Sequence, residues 1–316
     1  MRDFLRRRPL HLPLPFGDHP HDEQLGRLWI RCPSCGEQLY AKEYEDNLKV
    51  CPKCRYHFRL SSQERLALLL DPDSFQELDH NLRGTDPLSF RSEGQAYADK
   101  IPGYERKAGT PEAVVYGLGA IEEVSLVIAA NNYLFQGGSM GVAVGEKIAR
   151  AIDLAVARRL PFVSVVATGG ARQHEGVFAL MQMAKTTAAL ARLGRVGMPY
   201  ISVLTDPTVG GVPASYAMLG DVTIAEPGAF IGFAGPRVIE QAIRQKLPPG
   251  TATSESMLAH GMIDMICARA ELRGAIGRLL RLLTNGSCGR TLSGEWGEQR
   301  HDREMSSVGE GLGIAD

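Results

Sequence analysis

Apolar residues are spread unevenly along the chain, and their spacing separates a polar first third from an apolar body that begins near Ala113. In the body, short continuous apolar runs alternate with longer segments whose apolar residues recur every three or four positions. The first pattern is typical of buried strands and the second of amphipathic helices. Strands alternating with helices predict an α/β domain made of repeated β-β-α units.

The first half of the body predicts a hairpin followed by two helices. Residues 113–132 hold two β-rich runs separated by Gly119 and an acidic pair, which is the pattern of a hairpin. Residues 140–160 and 175–193 have helical spacing. In the second of these helices one face carries four apolar residues, namely Val177, Leu180, Met181 and Ala184.

Two further apolar runs, FVSVV and YISVL, each lead into a glycine-rich loop and then into a helical segment. They predict buried strands that enter a loop. Another short strand is predicted in 222–235, and helices in 235–247 and 254–266.

The remaining segments complete the predicted domain organisation. We predict a loosely ordered arm at 1–27, a metal module at 28–60 and a linker with one helix at 61–112. The α/β body follows at 113–285, and a disordered tail at 286–316.

Composition narrows the class of protein. The net charge of -1 provides no global field that would attract nucleic acid or a membrane surface. No apolar run approaches the ~20 residues that span a bilayer, and the basic N-terminus lacks the apolar segment of a signal peptide. Two tight pairs among the six cysteines fit a reducing compartment, so we expect a cytoplasmic protein.

The two cysteine pairs form the strongest motif in the chain. They are two C-x2-C knuckles with fifteen residues between them, at Cys32, Cys35, Cys51 and Cys54. Four thiolates in this pattern predict a closed structural zinc site, although the spacing does not exclude iron. Basic and aromatic residues around the knuckles could bind a nucleic-acid strand, but nearby acids dilute the charge and favour an ordinary solvated face.

The glycine-rich loops are the second candidate for chemistry. Gly169–Gly170 and Gly210–Gly211 each follow a predicted strand and precede a helix, and Gly137–Gly138 lies in a third cluster. Such turns present backbone N–H groups that stabilise an oxygen becoming negative during a reaction. None of them matches a P-loop, a dinucleotide fingerprint or a nucleophile elbow.

Side-chain catalysts are scarce beside these loops. His174 could act as a general base, but a single histidine on the first turn of a helix is more often a surface residue. Arg172, inside a glycine loop, is the best of several candidates for binding phosphate. Backbone donors without an evident acid or base suggest that the substrate or a cofactor supplies the proton chemistry.

Several of these motifs together resemble a known family. The cysteine ribbon is followed by GGSMG, GGAR and LMQMAK, and then by TDPTVGGV, YAMLGD and GFAGPRVIEQ. This series is similar to the carboxyltransferase β subunit of bacterial and plastid acetyl-CoA carboxylase, over about residues 28–285. Gln173–His174 and Pro213 depart from the family's pattern, and Pro213 removes one N–H donor.

The resemblance implies a crotonase-like (ClpP/crotonase) fold of β-β-α units with an N-terminal zinc ribbon. It also implies transfer of a carboxyl group from carboxybiotin to acetyl-CoA, giving malonyl-CoA in the first committed step of fatty acid synthesis. Gly210 and Gly211, with Gly169 and Gly170, are then the catalytic N–H donors, either to the enolate oxygen of the thioester or to the ureido oxygen of biotin. By the same resemblance, the acyl-CoA is bound at Ala171, Arg172, Gly137 and Gly138.

The resemblance implies several partners as well. The second half of the active site would be a carboxyltransferase α subunit in an α2β2 heterotetramer. Biotin would arrive on the biotin carboxyl carrier protein and would be carboxylated by biotin carboxylase in the ATP-dependent complex. Two other hypotheses remain at this point: a stand-alone crotonase-type acyl-CoA enzyme, and a ribbon that binds RNA.

Overall fold

The computed structural model describes residues 28–92, 94–248 and 250–284. The arm predicted at 1–27 and the tail predicted at 286–316 lie outside the described residues. None of the helices among these described residues combines the length and the apolar character that a membrane span requires.

The cysteine segment folds as a small unit with its own aromatic core. Strands β1 (Trp29–Arg31) and β2 (Gln38–Tyr40) pair antiparallel and are followed by helix α1 (Ala41–Asp46). Tyr44 packs edge-on against Phe58, with ring centres 4.8 Å apart. So small a core stabilises little by itself, and the cysteine cluster has to contribute the rest.

The segment predicted to be a linker is part of the main domain. It contains helix α2 (Ser62–Leu69), short strands β3 (Gln76–Leu78), β4 (Arg91–Ser92) and β5 (Gln95–Ala96), and helix α3 (Tyr97–Ala108). A capping box between Ser61 and Glu64 starts α2. The expectation of a linker fails because β3 joins the central sheet and apolar side chains of α2 enter the core.

The central sheet is mostly parallel. Its further strands are β6 (Val114–Ile121), β7 (Val124–Asn131), β8 (Phe162–Thr168), β9 (Tyr200–Val209), β10 (Val222–Ala225), β11 (Ile231–Gly232) and β12 (Met265–Ile266). The strand order is β12-β10-β9-β8-β7-β6-β3, and β11 pairs with the end of β9. The predicted hairpin is confirmed as β6–β7, with Glu122 and Glu123 at positive φ in its turn.

Helices cover both faces of this sheet. The helices of the body are α4 (Val142–Arg158), α5 (Gly176–Arg195), α6 (Pro236–Ile243), α7 (Ser254–Ala259) and α8 (Arg269–Leu283). One apolar core lies between the sheet and α4 with α5, and a second lies between the sheet and α2 with α8. The segment 254–266, predicted to be one helix, contains the short α7 and then strand β12, which pairs in parallel with β10.

Helix α5 buries a different face from the one that is richest in large apolar residues. Its buried residues are Ala179, Gln182, Thr186, Ala189 and Leu193. The face identified from the sequence is exposed, with Val177 at 59%, Leu180 at 50% and Met181 at 58% of full exposure. We call this exposed surface, formed by Val177, Leu180, Met181 and Ala184, the α5 apolar face.

Candidate functional site

The two main glycine loops lie side by side. Strands β8 and β9 are parallel neighbours, so their carboxyl ends meet at one edge of the sheet, where ligands of open α/β sheets usually bind. Both Gly170 and Gly210 have positive φ, at 106° and 77°. A Cβ atom on Gly210 would lie only 2.7 Å from the Cα of Gly170, so glycine is needed here to let the two backbones approach.

The third glycine cluster joins the same site. The Gly169 N–H donates to the Gly137 carbonyl at 2.7 Å, and the Met140 N–H donates to the Gly170 carbonyl at 2.8 Å. A Cβ atom on Gly138 would lie 2.1 Å from the Ala167 carbonyl oxygen. The structure therefore brings together all three glycine clusters that the sequence identified.

Hydrogen bonding within the loops limits which N–H groups can reach a ligand. Gly210 donates to the Gly232 carbonyl at 3.1 Å, and Gly170 donates to Thr168 Oγ1 at 3.0 Å. The N–H groups of Gly169, Gly170 and Gly210 thus all donate to acceptors within the protein. In this structure they are not free to donate to a substrate oxygen, as had been expected from the sequence. Among the described residues of the loops, Ala171, Gly211 and Val212 have backbone N–H groups without a hydrogen-bond partner.

Ser215 holds the second loop in place. Its hydroxyl donates to the Gly211 carbonyl at 2.7 Å and lies 3.2 Å from the Val212 carbonyl. The carbonyls of this turn are thus satisfied from inside the protein, while the two N–H groups of Gly211 and Val212 stay unpaired. The hydroxyl is used for structure, and no histidine or carboxylate in the part of the chain that the structure describes is hydrogen-bonded to it.

Arg172 does not face the loops' open side. Its side chain is fully buried and pairs with Glu112 at 2.6 Å and Glu175 at 3.1 Å. It also donates to the Ser139 carbonyl at 2.8 Å, and its guanidinium lies 5.3 Å from the Phe135 ring centre. We correct the expected phosphate contact at Arg172, because two buried carboxylates surround the guanidinium and use its donors.

His174 belongs to the packing around this buried ion network. Its ring stacks on Tyr97 with ring centres 4.6 Å apart, and Nδ1 lies 2.8 Å from the Gln136 side-chain amide. Burial, together with the charges of Lys100 and Arg172, lowers the pKa of His174. The neutral imidazole therefore acts as a packed aromatic ring at neutral pH.

A cavity of about 600 Å³ opens beside the loops, between the ribbon and the sheet edge. Its walls are formed by Arg59, Tyr133, Gly169, Asp206, Pro207, Val209, Phe230, Gly235 and Val238. Arg59 comes from the end of the ribbon, and its Nη2 lies 3.4 Å from Asp206 Oδ2. The sequence identified Arg59 only as a ribbon residue, since nothing in its spacing shows the 147-residue contact with Asp206.

The ribbon is fixed to the body by a buried ion triad. Glu226 accepts hydrogen bonds from Arg65 and Arg269, and all three side chains are almost completely buried. Arg269 also donates to the Leu48 carbonyl in the ribbon, at 2.7 Å. No local sequence signal marks these residues, because they meet only after the ribbon, α2, β10 and α8 have assembled.

The four ribbon cysteines have the geometry of a tetrahedral metal site. Their sulfur atoms all lie within 4.8 Å of one another, with separations of 3.6 Å and 3.8 Å for two pairs. Zinc–sulfur bonds of about 2.3 Å in a tetrahedron require sulfurs about 3.8 Å apart. The thiols present therefore fit a structural zinc ion.

Comparison with known sequences agrees with this architecture. The family described as "Carboxyl transferase domain" matches residues 58–269, and the "Acetyl-CoA carboxylase zinc finger domain" matches residues 29–54. The acetyl-coenzyme A carboxylase carboxyl transferase subunit beta of Herpetosiphon aurantiacus is 52% identical over 89% of this chain and 94% of its own length. The chain belongs to this carboxyl transferase beta family. The Citrifermentans bemidjiense member is 51% identical over 81% of the chain and 90% of its own.

Solved structures show that the family fold extends beyond close relatives. A Pseudomonas malonate decarboxylase hetero-tetramer in complex with malonate contains a chain that is 27% identical, with a TM-score of 0.59 over 71% of this chain and 82% of its own. Transcarboxylase 12S is 23% identical with a TM-score of 0.59, over 76% of this chain but 42% of its own length. This beta-family chain therefore has the crotonase-like carboxyltransferase fold, with a ribbon in front.

Proposed function

We propose that this carboxyl transferase subunit moves the carboxyl group of carboxybiotin to acetyl-CoA, forming malonyl-CoA. One observation carries the proposal: the backbone N–H groups of Ala171, Gly211 and Val212 are unpaired, and they belong to two glycine loops that pack together and whose Gly169 and Val209 line an open cavity. Among the described residues of these loops, the candidate side chains His174, Arg172 and Ser215 are all engaged inside the protein. The geometry thus favours backbone stabilisation of charge over side-chain acid–base catalysis.

The acetyl group must lose a methyl proton to react, and its thioester oxygen then becomes negative. Fixed N–H donors bind that oxygen more tightly as its charge grows, so they lower the barrier. One such donor contributes about 3 kcal/mol. Carboxybiotin, when bound, supplies the carboxyl group and the base for the methyl proton.

The structure suggests different roles for the glycines named in the sequence analysis. Gly211 and Val212, together with Ala171, are the proposed donors to the thioester oxygen. Gly170 and Gly210 have no side chains, so the two loops approach each other closely and keep their relative positions. Gly137 and Gly138 pack against the first loop. The acyl-CoA would pass over the surface that all three glycine clusters form.

A second subunit would complete the active site. The α5 apolar face leaves a row of large apolar side chains in water on a helix that begins directly after the first glycine loop. Patches of this kind are typical of protein interfaces. The related malonate decarboxylase is described as a hetero-tetramer, and we propose an α subunit of the same fold in an α2β2 assembly.

Membership of the family supports the remaining components of the proposal. Biotin would reach the site on the biotin carboxyl carrier protein after carboxylation by biotin carboxylase, and the complex would work in the cytoplasm. The zinc ion would stabilise the ribbon without entering the chemistry. The relatives and the carboxyl transferase domain favour this function over a stand-alone crotonase-type enzyme, and no observation on the ribbon favours RNA.

Reconstitution tests the proposal. The purified chain is mixed with malonyl-CoA and biocytin, a soluble biotin, with and without an α-type subunit, and acetyl-CoA formation is followed. We expect turnover only when the α subunit is present. Turnover by the chain alone would support the stand-alone enzyme, and no turnover with any α subunit would reject the proposed function.

A further inference from the structure

Arg59 is held in a fixed position at the junction between ribbon and body. The carbonyl of the preceding residue, Phe58, accepts a hydrogen bond of 2.7 Å from the buried Arg269. The following residue, Leu60, is buried. The Arg59 side chain nevertheless remains 46% exposed, so its backbone is anchored while its guanidinium stays accessible.

The guanidinium lies against the wall of the glycine-loop cavity. Its central carbon is 4.3 Å from the centre of the Tyr133 ring, a distance at which a cation and an aromatic face attract each other. Its one hydrogen bond among the described residues is the long contact of 3.4 Å with Asp206. Since a guanidinium carries five N–H donors, most of them are available to a ligand.

The distribution of charged side chains in the cavity points to Arg59 as the residue that binds an anion. Of the described side chains that line the cavity, Arg59 is the one cation and Asp206 is the one anion. Asp206 is itself held by the Phe230 N–H, which donates to its other carboxylate oxygen at 3.2 Å. The planar fork of an arginine matches the oxygens of a phosphate or carboxylate, and stacking on Tyr133 orients it in advance.

We propose that Arg59 is a substrate-positioning residue whose guanidinium binds an anionic group of the acyl-CoA thioester, a phosphate or a carboxylate. The ribbon then forms one wall of the substrate site in addition to its structural role. Zinc would influence substrate binding indirectly, by fixing the segment that carries Arg59. This inference rests on the proposed function, since it takes an acyl-CoA as the substrate.

The test compares Arg59→Gln with the wild type in the complex of this chain with its α subunit. Lys42→Gln is the matched control, because it removes one exposed positive charge from the same ribbon, on α1, away from the cavity. Both variants are first checked for zinc content and assembly. Kinetics are then measured with biocytin and three thioesters: malonyl-CoA, malonyl-dephospho-CoA and malonyl-pantetheine.

We expect Arg59→Gln to raise KM for malonyl-CoA about tenfold, the loss of one charge-assisted hydrogen bond. The kcat of both variants should stay within about twofold of the wild-type value. The KM of Lys42→Gln for malonyl-CoA should do the same. If a CoA phosphate is bound, the effect disappears with malonyl-pantetheine. The effect is then also lost with malonyl-dephospho-CoA if Arg59 binds the 3′-phosphate, and it persists with malonyl-dephospho-CoA if Arg59 binds the pyrophosphate. If the malonyl carboxylate is bound, the effect persists with all three thioesters.

An unchanged KM for malonyl-CoA in a zinc-loaded, assembled Arg59→Gln complex would overturn the inference. If that variant does not assemble, Arg59→Lys serves instead. It keeps the charge but loses the planar fork, so a smaller rise of KM is expected and an unchanged KM again overturns the inference. An inactive wild-type complex would count against the proposed function, and calorimetric binding of malonyl-CoA to wild type and variant would then test Arg59 separately.

Discussion

Gly210→Ala tests whether the contact between the two glycine loops matters for catalysis. The new Cβ would lie 2.7 Å from the Gly170 Cα, and ordinary contacts of this kind begin at 3.4 Å, so the loops must separate by about 0.7 Å. Gly210 also has φ of 77°, a conformation that costs an alanine about 1 kcal/mol. A displacement approaching 1 Å at reacting groups costs on the order of 100-fold in rate.

We therefore expect the Gly210→Ala complex to keep its zinc and its α subunit and to lose about 100-fold in kcat. The control is Gly197→Ala, at φ of 68°, where a Cβ meets nothing within 4 Å. It has the same backbone strain without the contact, so stability falls by about 1 kcal/mol while kcat is retained. Thermal unfolding and steady-state turnover separate the two effects. If kcat of Gly210→Ala equalled that of Gly197→Ala, the loop contact would have no role in catalysis.

Three further predictions concern the ribbon anchor, the partner surface and the metal. Burial opposes ionisation of Glu226, but the charges and hydrogen bonds of Arg65 and Arg269 outweigh it and lower its pKa to about 2 from 4.5. Glu226→Gln should cost about 3–5 kcal/mol in denaturant unfolding at pH 7. That difference should shrink as pH falls from 4.5 towards 2, and a pH-independent difference would contradict the ion triad. Met181→Asp should keep the unfolding free energy of the isolated chain within about 0.5 kcal/mol of the wild-type value. It should nevertheless abolish assembly with the α subunit, measured by sedimentation. The control Leu282→Asp, on the exposed side of α8, should assemble normally. Cys32→Ser should abolish stoichiometric zinc binding measured by mass spectrometry, whereas Cys267→Ser should keep it.

The elements with strong local patterns could be predicted from the sequence. The helices α4 and α5 have apolar residues at helical spacing, and the strands β6, β7, β8 and β9 are short, β-branched apolar runs bounded by turn residues. The cysteine spacing likewise identified the ribbon. These features depend on residues within about 20 positions of one another.

Features that depend on distant contacts could not be predicted. The engagement of the Gly210 N–H depends on β11 pairing with β9, and strand pairing at that distance leaves no local pattern. Arg172 pairs with Glu112, which is 60 residues away in the sequence. The burial of Arg172 therefore could not be predicted from the residues of its own loop. The buried face of α5 contains Gln182 and Thr186, whose polarity gave no sign of a core.

In the proposed reaction, backbone N–H groups of the second glycine loop bind the thioester oxygen as it becomes negative. A structure of the assembled complex with acetyl-CoA measures this directly, through the distance from the thioester oxygen to the nearest unpaired nitrogen. We expect a distance of about 2.7–3.1 Å from the thioester oxygen to the nitrogen of Gly211 or Val212. A thioester oxygen that binds a side chain instead, with both of these N–H groups left unpaired, would contradict the proposal.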